Sequence, residues 1–230
     1  MEKKEILVSV TVTSGSDWRK KLEEIRELGI EEAAVFCTCL DKEGRKEFYR
    51  LIRGSGLKSI PLVHLRSDMT VEELDYFVEN YGTKVFCTHT KREYPFLHDL
   101  SKYRNIIGIE NVYFPLDEKE IKEFGGVCLD FSHLENARIS TKDIFEHNVK
   151  ILEKYPVIAN HINPVKKIPH IDENGYSRYD SHSFDDNFSE LDYLKKYPER
   201  YFSSFLAIEL ENSIKEQLKV KDYLSNLINI

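Results

Sequence analysis

Nine residues of this chain have the side chains that bind divalent cations: His64, His89, Glu110, Asp130, His133, His161, Asp180, His182 and Glu209. Most stand at the tip of an otherwise apolar run. "IPLVH" ends in His64, "KVFCTH" in His89, "IIGIE" in Glu110, "VIANH" in His161 and "FLAIE" in Glu209. "VCLDFSH" delivers Asp130 and then His133, and "YDSHS" carries Asp180 and His182. Taken singly, each has a plain explanation. An Asp after a strand is often a helix N-cap, and a lone His is often a satisfied polar residue. Glu211 reads as a rim residue or the start of a helix. Jointly they demand more, because burying several ionisable groups unpaired costs several kcal/mol each. Divalent cations offset that cost. Mixed imidazole and carboxylate donors suit Zn2+, and also Mn2+ or Fe2+. Nine donors exceed what one ion takes, so two to three ions with a bridging carboxylate are expected.

Such tips can meet only if one architecture aims them at one point. Strand-like segments start near Ile6, Ala33, Ile60, Lys84, Ile106, Gly126, Val157 and Phe202, with helical periodicity between them. "DWRKKLEEIRELG" places Trp18, Leu22, Ile25 and Leu28 on one face, with Gly29 as C-cap. "TVEELDYFVENYG" opens on a Thr70–Glu73 capping box and closes at Gly82. Thr141 starts a further helix, and Asn212 or Ser213 the last. Eight strands, each followed by a helix, predict a single (β/α)8 TIM barrel spanning residues 1–230, whose site lies at the C-terminal strand ends. An open doubly wound sheet would bring a glycine-rich loop after its first strand, and "TSGSDW" does not match one. The segment 161–189, rich in polar residues with two prolines, reads as one long loop.

Composition bounds the partners. The net charge is −7 and the pI about 5.7, whereas nucleic-acid binders are more often basic. No stretch approaches a membrane span, and "MEKKEILVSVTV" lacks the apolar region of a leader. Cys37, Cys39, Cys87 and Cys128 all read as strand residues in a reducing compartment, so a cytoplasmic protein is expected. Arg66, Lys166 and Arg178, with Arg92 and Lys167, are the candidate substrate-binding cations near the mouth. His98, His147 and His170 read as surface residues.

The ordered set from His64 to Glu209 resembles the endonuclease IV family of apurinic/apyrimidinic endonucleases, within the xylose-isomerase-like barrels, over residues 60–210. The resemblance implies three zinc ions: one held by His64, His89 and Glu110, a second bridged by Glu110 and completed by Asp130, His161 and Glu209, and a third held by His133, Asp180 and His182. It implies a phosphoester substrate, with damaged DNA among the candidates, and attack by metal-bound hydroxide, since zinc lowers the pKa of bound water to about 7. The sequence departs from the family in its loops: "TCLDKEG" and "LRSDM" are short and acidic, and inserting side chains have no counterpart. Sugar isomerases and epimerases share the barrel and use one metal held by a Glu, Asp, His, Glu set, here Glu110, Asp130, His161 and Glu209. Glu110 and Glu209 would then move protons at adjacent carbons. The sequence leaves the natural substrate and the oligomeric state open.

Overall fold

Alternation along each strand decides which side chains enter the interior. The computed structural model describes residues 4–172 and 175–228. Nine parallel strand segments form one sheet: β1 (Glu5–Leu7), β2 (Ser9–Thr11), β3 (Ala34–Phe36), β4 (Leu62–His64), β5 (Val85–Thr88), β6 (Ile107–Glu110), β7 (Gly126–Asp130), β8 (Val157–Ile162) and, after the hairpin described below, β11 (Phe205–Ile208). The segments β1 and β2 are two halves of one N-terminal strand. The first half pairs with β11 and the second with β3, so the sheet closes on itself. The result is the expected α/β barrel of eight strands.

Two apolar cores follow from the alternation. Leu7, Ala34, Phe36, Leu62, Val85, Cys87, Cys128, Ala159 and Ala207 cluster together as the barrel interior. The opposite strand faces pack against helices α1 (Trp18–Leu28), α2 (Lys42–Ile52), α3 (Val71–Tyr81), α4 (Glu118–Glu123), α5 (Phe131–Ser140), α6 (Lys142–Leu152) and α7 (Ile214–Leu227). Local signals set the helix ends. Asp17 accepts from the backbone N–H of Lys20, and Gly29 closes α1 in the left-handed region at φ 65°. The Thr70–Glu73 capping box opens α3, and Ser213 with Glu216 opens α7. Leu28, expected on the buried face of α1, is 40% exposed because the helix ends there. At the entry to β7, a side chain on Gly126 would put its Cβ 2.4 Å from the Pro156 carbonyl, and φ there is +146°. Glycine therefore lets β7 begin tight against the chain entering β8.

The helix-after-every-strand expectation fails twice. After β5 the chain runs through turns into a 3-10 helix, Ser101–Ile106. After β8 the expected loop is an antiparallel hairpin, β9 (Val165–Ile171) with β10 (Ser177–Asp180), followed by 3-10 helices Phe188–Lys196 and Glu199–Tyr201. Pro169 and the lysines hid the strand, since β9 is exposed along most of its length and shows no apolar alternation. The last strand starts at Phe205, three residues later than expected. Cys37 falls just past β3 and Cys39 lies in an exposed turn, so only Cys87 and Cys128 are strand residues. Among the described residues no helix is long and apolar enough to cross a membrane.

One buried cation ties the helical layer together. The Arg45 side chain is fully enclosed; its Nε donates to Glu73 Oε1 at 2.7 Å and its Nη1 to Asp68 Oδ1 at 2.9 Å. Tyr49 donates to the same Glu73 oxygen at 2.8 Å. Asp68 is the more exposed partner, and solvent discounts its share. Asp68→Asn should lower unfolding stability by about 1 kcal/mol in urea titration. An unchanged midpoint would show that Glu73 alone satisfies the guanidinium.

Candidate metal centre

Each ligand-type residue on a strand tip lies two positions beyond an interior residue of the same strand. Thus Leu62 leads to His64, Cys87 to His89, Gly108 to Glu110, Cys128 to Asp130, Ala159 to His161 and Ala207 to Glu209. Alternation carries all six to the C-terminal mouth on the inner face. Small interior residues below them, Ala, Cys and Gly, leave room for the rings.

Glu110 sits at the middle. Its Oε2 is 2.7 Å from His64 Nε2 and 3.6 Å from His89 Nε2, and its Oε1 is 3.2 Å from His161 Nδ1. Burial would raise the pKa of this carboxyl group, but His161 and His64 outweigh burial and hold it well below the ordinary range. Burial likewise works to lower His64 and His161, and Glu110 reverses it, so both imidazoles are raised. His89 keeps 31% of its side chain exposed, yet desolvation in the crowded mouth outweighs the charge of Glu110 and pulls its pKa down.

Asp130 has two roles at once. Its Oδ1 accepts from the His133 backbone N–H at 2.8 Å and from Ser132 Oγ at 2.7 Å, which caps α5. Its Oδ2 faces the site and accepts from Asn163 Nδ2 at 3.1 Å. Burial raises this carboxyl group; His133 opposes that, and the charges of Glu110 and Glu209 add to it. Glu209 Oε2 accepts from Asn163 at 3.2 Å and lies 3.6 Å from His161 Nδ1. Among the described residues, Glu110, Asp130, His161 and Glu209 each bring one donor atom within 4.8 Å of all the others. Three buried carboxylates around one imidazole repel one another unless a cation lies between them, and the donor set fits a divalent ion.

The remaining ligand-type residues lie around this set. His133 Nδ1 is 3.2 Å from Asp180 Oδ2, which also accepts from Tyr113 at 2.8 Å. Burial acts to lower His133, but Asp130 and Asp180 prevail and lift it to about 10. Burial acts to raise Asp180, and His133 pulls it down to about 2. His182 is 37% exposed, with its Nε2 3.8 Å from Glu209. Neither the trio His133, Asp180 and His182 nor the trio His64, His89 and Glu110 gathers all three donors within 4.8 Å of one another. Glu211 lies at the rim, where it accepts from Thr13 at 2.6 Å.

The candidate substrate-binding cations are largely engaged. Arg66 pairs with Asp68 at 3.1 Å, and Lys166 pairs with Asp185 and Glu190, each at 2.9 Å. Arg178 pairs with Asp172 at 2.9 Å and stacks over Tyr113. Arg92 stacks over Phe114, and Lys167 is exposed on β9.

Four further residues join the site without having been singled out for it. Asn163 was legible, because it stands two past His161 in "HIN" and so shares its face. Tyr113 and Glu93 sit on loops, where no period marks them. Glu93 Oε2 is buried with no partner, and burial, then the charge of Glu110, lift its pKa to about 7. Cys87 Sγ approaches His161 Nε2 at 3.2 Å from below.

Fold and site together define a (β/α)8 barrel with a buried imidazole and carboxylate cluster at its C-terminal mouth. No family model matches the chain, and no curated protein matches it. Among solved structures it is similar to the probable 3-DHS dehydratase AsbF, involved in petrobactin synthesis, from Bacillus anthracis, at 11% identity and TM-score 0.42 over 97% of this chain and 98% of that one. It is also similar to an uncharacterized B. cereus protein, at 11% identity and TM-score 0.44, over 100% of this chain and 65% of that one. Overlaps this loose bear on neither activity nor ligands.

Proposed function

We propose that this chain is a metal-dependent isomerase or epimerase of a sugar-like hydroxycarbonyl compound, with Glu110, Asp130, His161 and Glu209 holding one divalent ion. The observation that carries this reading is the convergence of those four donor groups within 4.8 Å. A divalent cation there supplies Lewis-acid polarisation of a substrate carbonyl and acidifies the adjoining C–H. Glu110 ends β6, Glu209 follows directly after β11, and the two approach the same imidazole nitrogen, at 3.2 and 3.6 Å. Glu209 is the more exposed of the two, with 12% of its side chain accessible against 2% for Glu110. It is therefore the carboxylate placed to take a proton from a substrate carbon at the mouth. Asn163 fixes its Oε2 and Asp130 Oδ2 in one orientation. The paired state of Arg66, Lys166 and Arg178 favours a neutral polyol over a polyanion.

The test is proton exchange. Aldoses and ketoses are incubated in D2O with Mg2+, Mn2+ or Zn2+, and deuterium beside the carbonyl is followed by NMR. Ion-dependent incorporation is expected, with a loss of about 100-fold in Glu209→Gln. No exchange across the panel would remove this reading. A phosphoester hydrolase with two or three zinc ions is the second reading. The crowding of His64 and His89 on Glu110 Oε2, at 2.7 and 3.6 Å, favours it. Zinc-dependent, chelator-sensitive cleavage of a small phosphodiester or an abasic-site duplex, with no sugar exchange, would establish it instead.

A further inference from the structure

His161 is enclosed in the barrel with different chemistry at its two nitrogens. Nδ1 faces oxygen, 3.2 Å from Glu110 Oε1. Nε2 faces sulfur, 3.2 Å from Cys87 Sγ and 3.4 Å from Cys128 Sγ. We propose that Cys87 and Cys128 are positioning residues for the metal site: their sulfurs receive the Nε2–H of His161 and so present the lone pair of Nδ1 to the ion. The proposal rests on the single-ion reading above.

A neutral imidazole carries one N–H, so ligation through Nδ1 puts the proton on Nε2, and that proton needs an acceptor. Ligating histidines ordinarily donate it to a carboxylate, a carbonyl or water. Here Cys87, Cys128 and His161 are all fully buried, and the two sulfurs lie within hydrogen-bond reach of Nε2. Cys87 Sγ lies 3.8 Å from the Val63 carbonyl oxygen, which can accept its own S–H and so leave the sulfur lone pairs to accept from Nε2. His64 shows the opposite arrangement: its Nδ1 is 3.0 Å from the Leu65 carbonyl and its Nε2 faces Glu110. The two rings therefore reach Glu110 through different nitrogens, each held by its own acceptor. Gly108 makes the sulfur arrangement possible. It lies on β6 between the two cysteine strands, and a Cβ there would sit 3.3 Å from Cys128 Cβ and 3.0 Å from its backbone nitrogen.

Two other uses of a cysteine pair fit less well. A disulfide is excluded by topology, since β5 and β7 flank β6 and so stand about 9–10 Å apart, beyond disulfide reach. A soft cation bound by both sulfurs and Nε2 would set S···N spacings of about 3.5 Å or more, from bonds of about 2.3 and 2.0 Å in a tetrahedron. Cys87, Cys128 and His161 lie close enough to share such a cation, but their spacings of 3.2 and 3.4 Å are those of hydrogen bonds.

The test uses the full chain and Mn2+ as the probe, with affinity read from the electron-spin resonance of the free ion. Cys87→Ala/Cys128→Ala should bind Mn2+ about 10–100-fold more weakly, the usual loss when an outer partner of a metal-bound histidine is removed. Cys87→Ser/Cys128→Ser, which keeps an acceptor, should recover most of that affinity. A second readout is the tautomer. In 15N-histidine-labelled protein with Zn2+, His161 should carry its proton on Nε2, and the alanine pair should lose that signal. Should the double variant not fold, Cys87→Ala alone, which removes the nearer sulfur, should weaken Mn2+ binding in the same direction, and Cys87→Ser should recover it. Wild-type Mn2+ affinity in the folded alanine variant would overturn the proposal and spare the single-ion reading. A sulfur-to-cobalt charge-transfer band in Co2+-loaded wild-type protein, lost in the serine variant, would overturn it in favour of a thiolate metal site. Failure of wild-type protein to bind any of these ions would remove both readings.

Discussion

Glu110→Gln should abolish divalent-ion binding and, with it, the thermal stabilisation that the ion confers on the wild-type chain. An ion that binds only the folded state at 1,000 times its Kd adds about 4 kcal/mol. For a chain of this size each kcal/mol moves Tm by about 2–4 °C, so a rise of about 8–16 °C is expected. Glu110 is the one carboxylate shared by His64, His89 and His161, at 2.7, 3.6 and 3.2 Å. A neutral amide there should weaken ion binding by more than about 100-fold and cut any ion-dependent turnover by about 1,000-fold or more, since the ion that would polarise the substrate carbonyl is lost with its central ligand.

The ion-free protein should show a distinct pH signature at the same residue. The Glu110 carboxyl group is held below its ordinary 4.5, so its contribution is present above pH 4.5 and is lost as pH falls through the lowered value. His64 and His161 are raised above 6.5, so theirs is full below pH 6.5 and is lost as pH rises through the raised values. The paired cluster therefore stabilises most between about pH 4.5 and 6.5, and Glu110→Gln should remove that maximum. Adding Mn2+ or Zn2+ should move the optimum toward neutral pH, where the imidazoles are free to ligate. Scanning fluorimetry across pH, with and without ion, reads both effects. A wild-type melting curve insensitive to every ion, or a Glu110→Gln curve that still responds, would refute the assignment.

The strand tips were legible because the barrel imposes a period of two, and a ligand two residues past a small interior residue has only one direction to point. The first half of the site follows from that rule: His64, His89, Glu110, Asp130, His161 and Glu209 all reach the mouth. Asp130 has room for both sequence readings: one oxygen caps a helix, while the other faces the carboxylate and imidazole cluster. The rule says nothing about loops. The β9–β10 hairpin, the placement of Glu93 and the stacking of Arg178 on Tyr113 depend on how connections fold over the mouth. Nor does it say which tips come within bonding distance of one another. Barrel radius and side-chain length decide that, and they gather Glu110, Asp130, His161 and Glu209 into one group and His64 with Glu110 and His161 into another that overlaps it.

Lys21 carries the second large effect, away from the candidate metal centre. It lies on α1 with 2% of its surface accessible, and its Nζ donates to Thr11 Oγ1 at 2.8 Å and to the Leu210 carbonyl at 2.5 Å. Two acceptors match the two hydrogens of a neutral amine and fall one short of an ammonium. Burial lowers its pKa from 10.5 to about 7, against the opposing pull of Glu211, Glu24 and Glu216. An amine whose folded value is depressed binds fewer protons folded than unfolded across that interval. Stability therefore rises with pH between about 7 and 10.5, and is lost as pH falls back through 7. The swing is about 3–5 kcal/mol, from roughly 1.4 kcal/mol per pKa unit. Lys21→Met has no proton to exchange there, so the stability of wild type relative to this variant should climb by that amount from pH 7 to pH 10.5. Urea denaturation of both chains at half-unit steps supplies the comparison, and the subtraction cancels every other titrating group. Parallel curves across the range would mean that Lys21 stays charged in the folded barrel, with the three glutamates outweighing its burial.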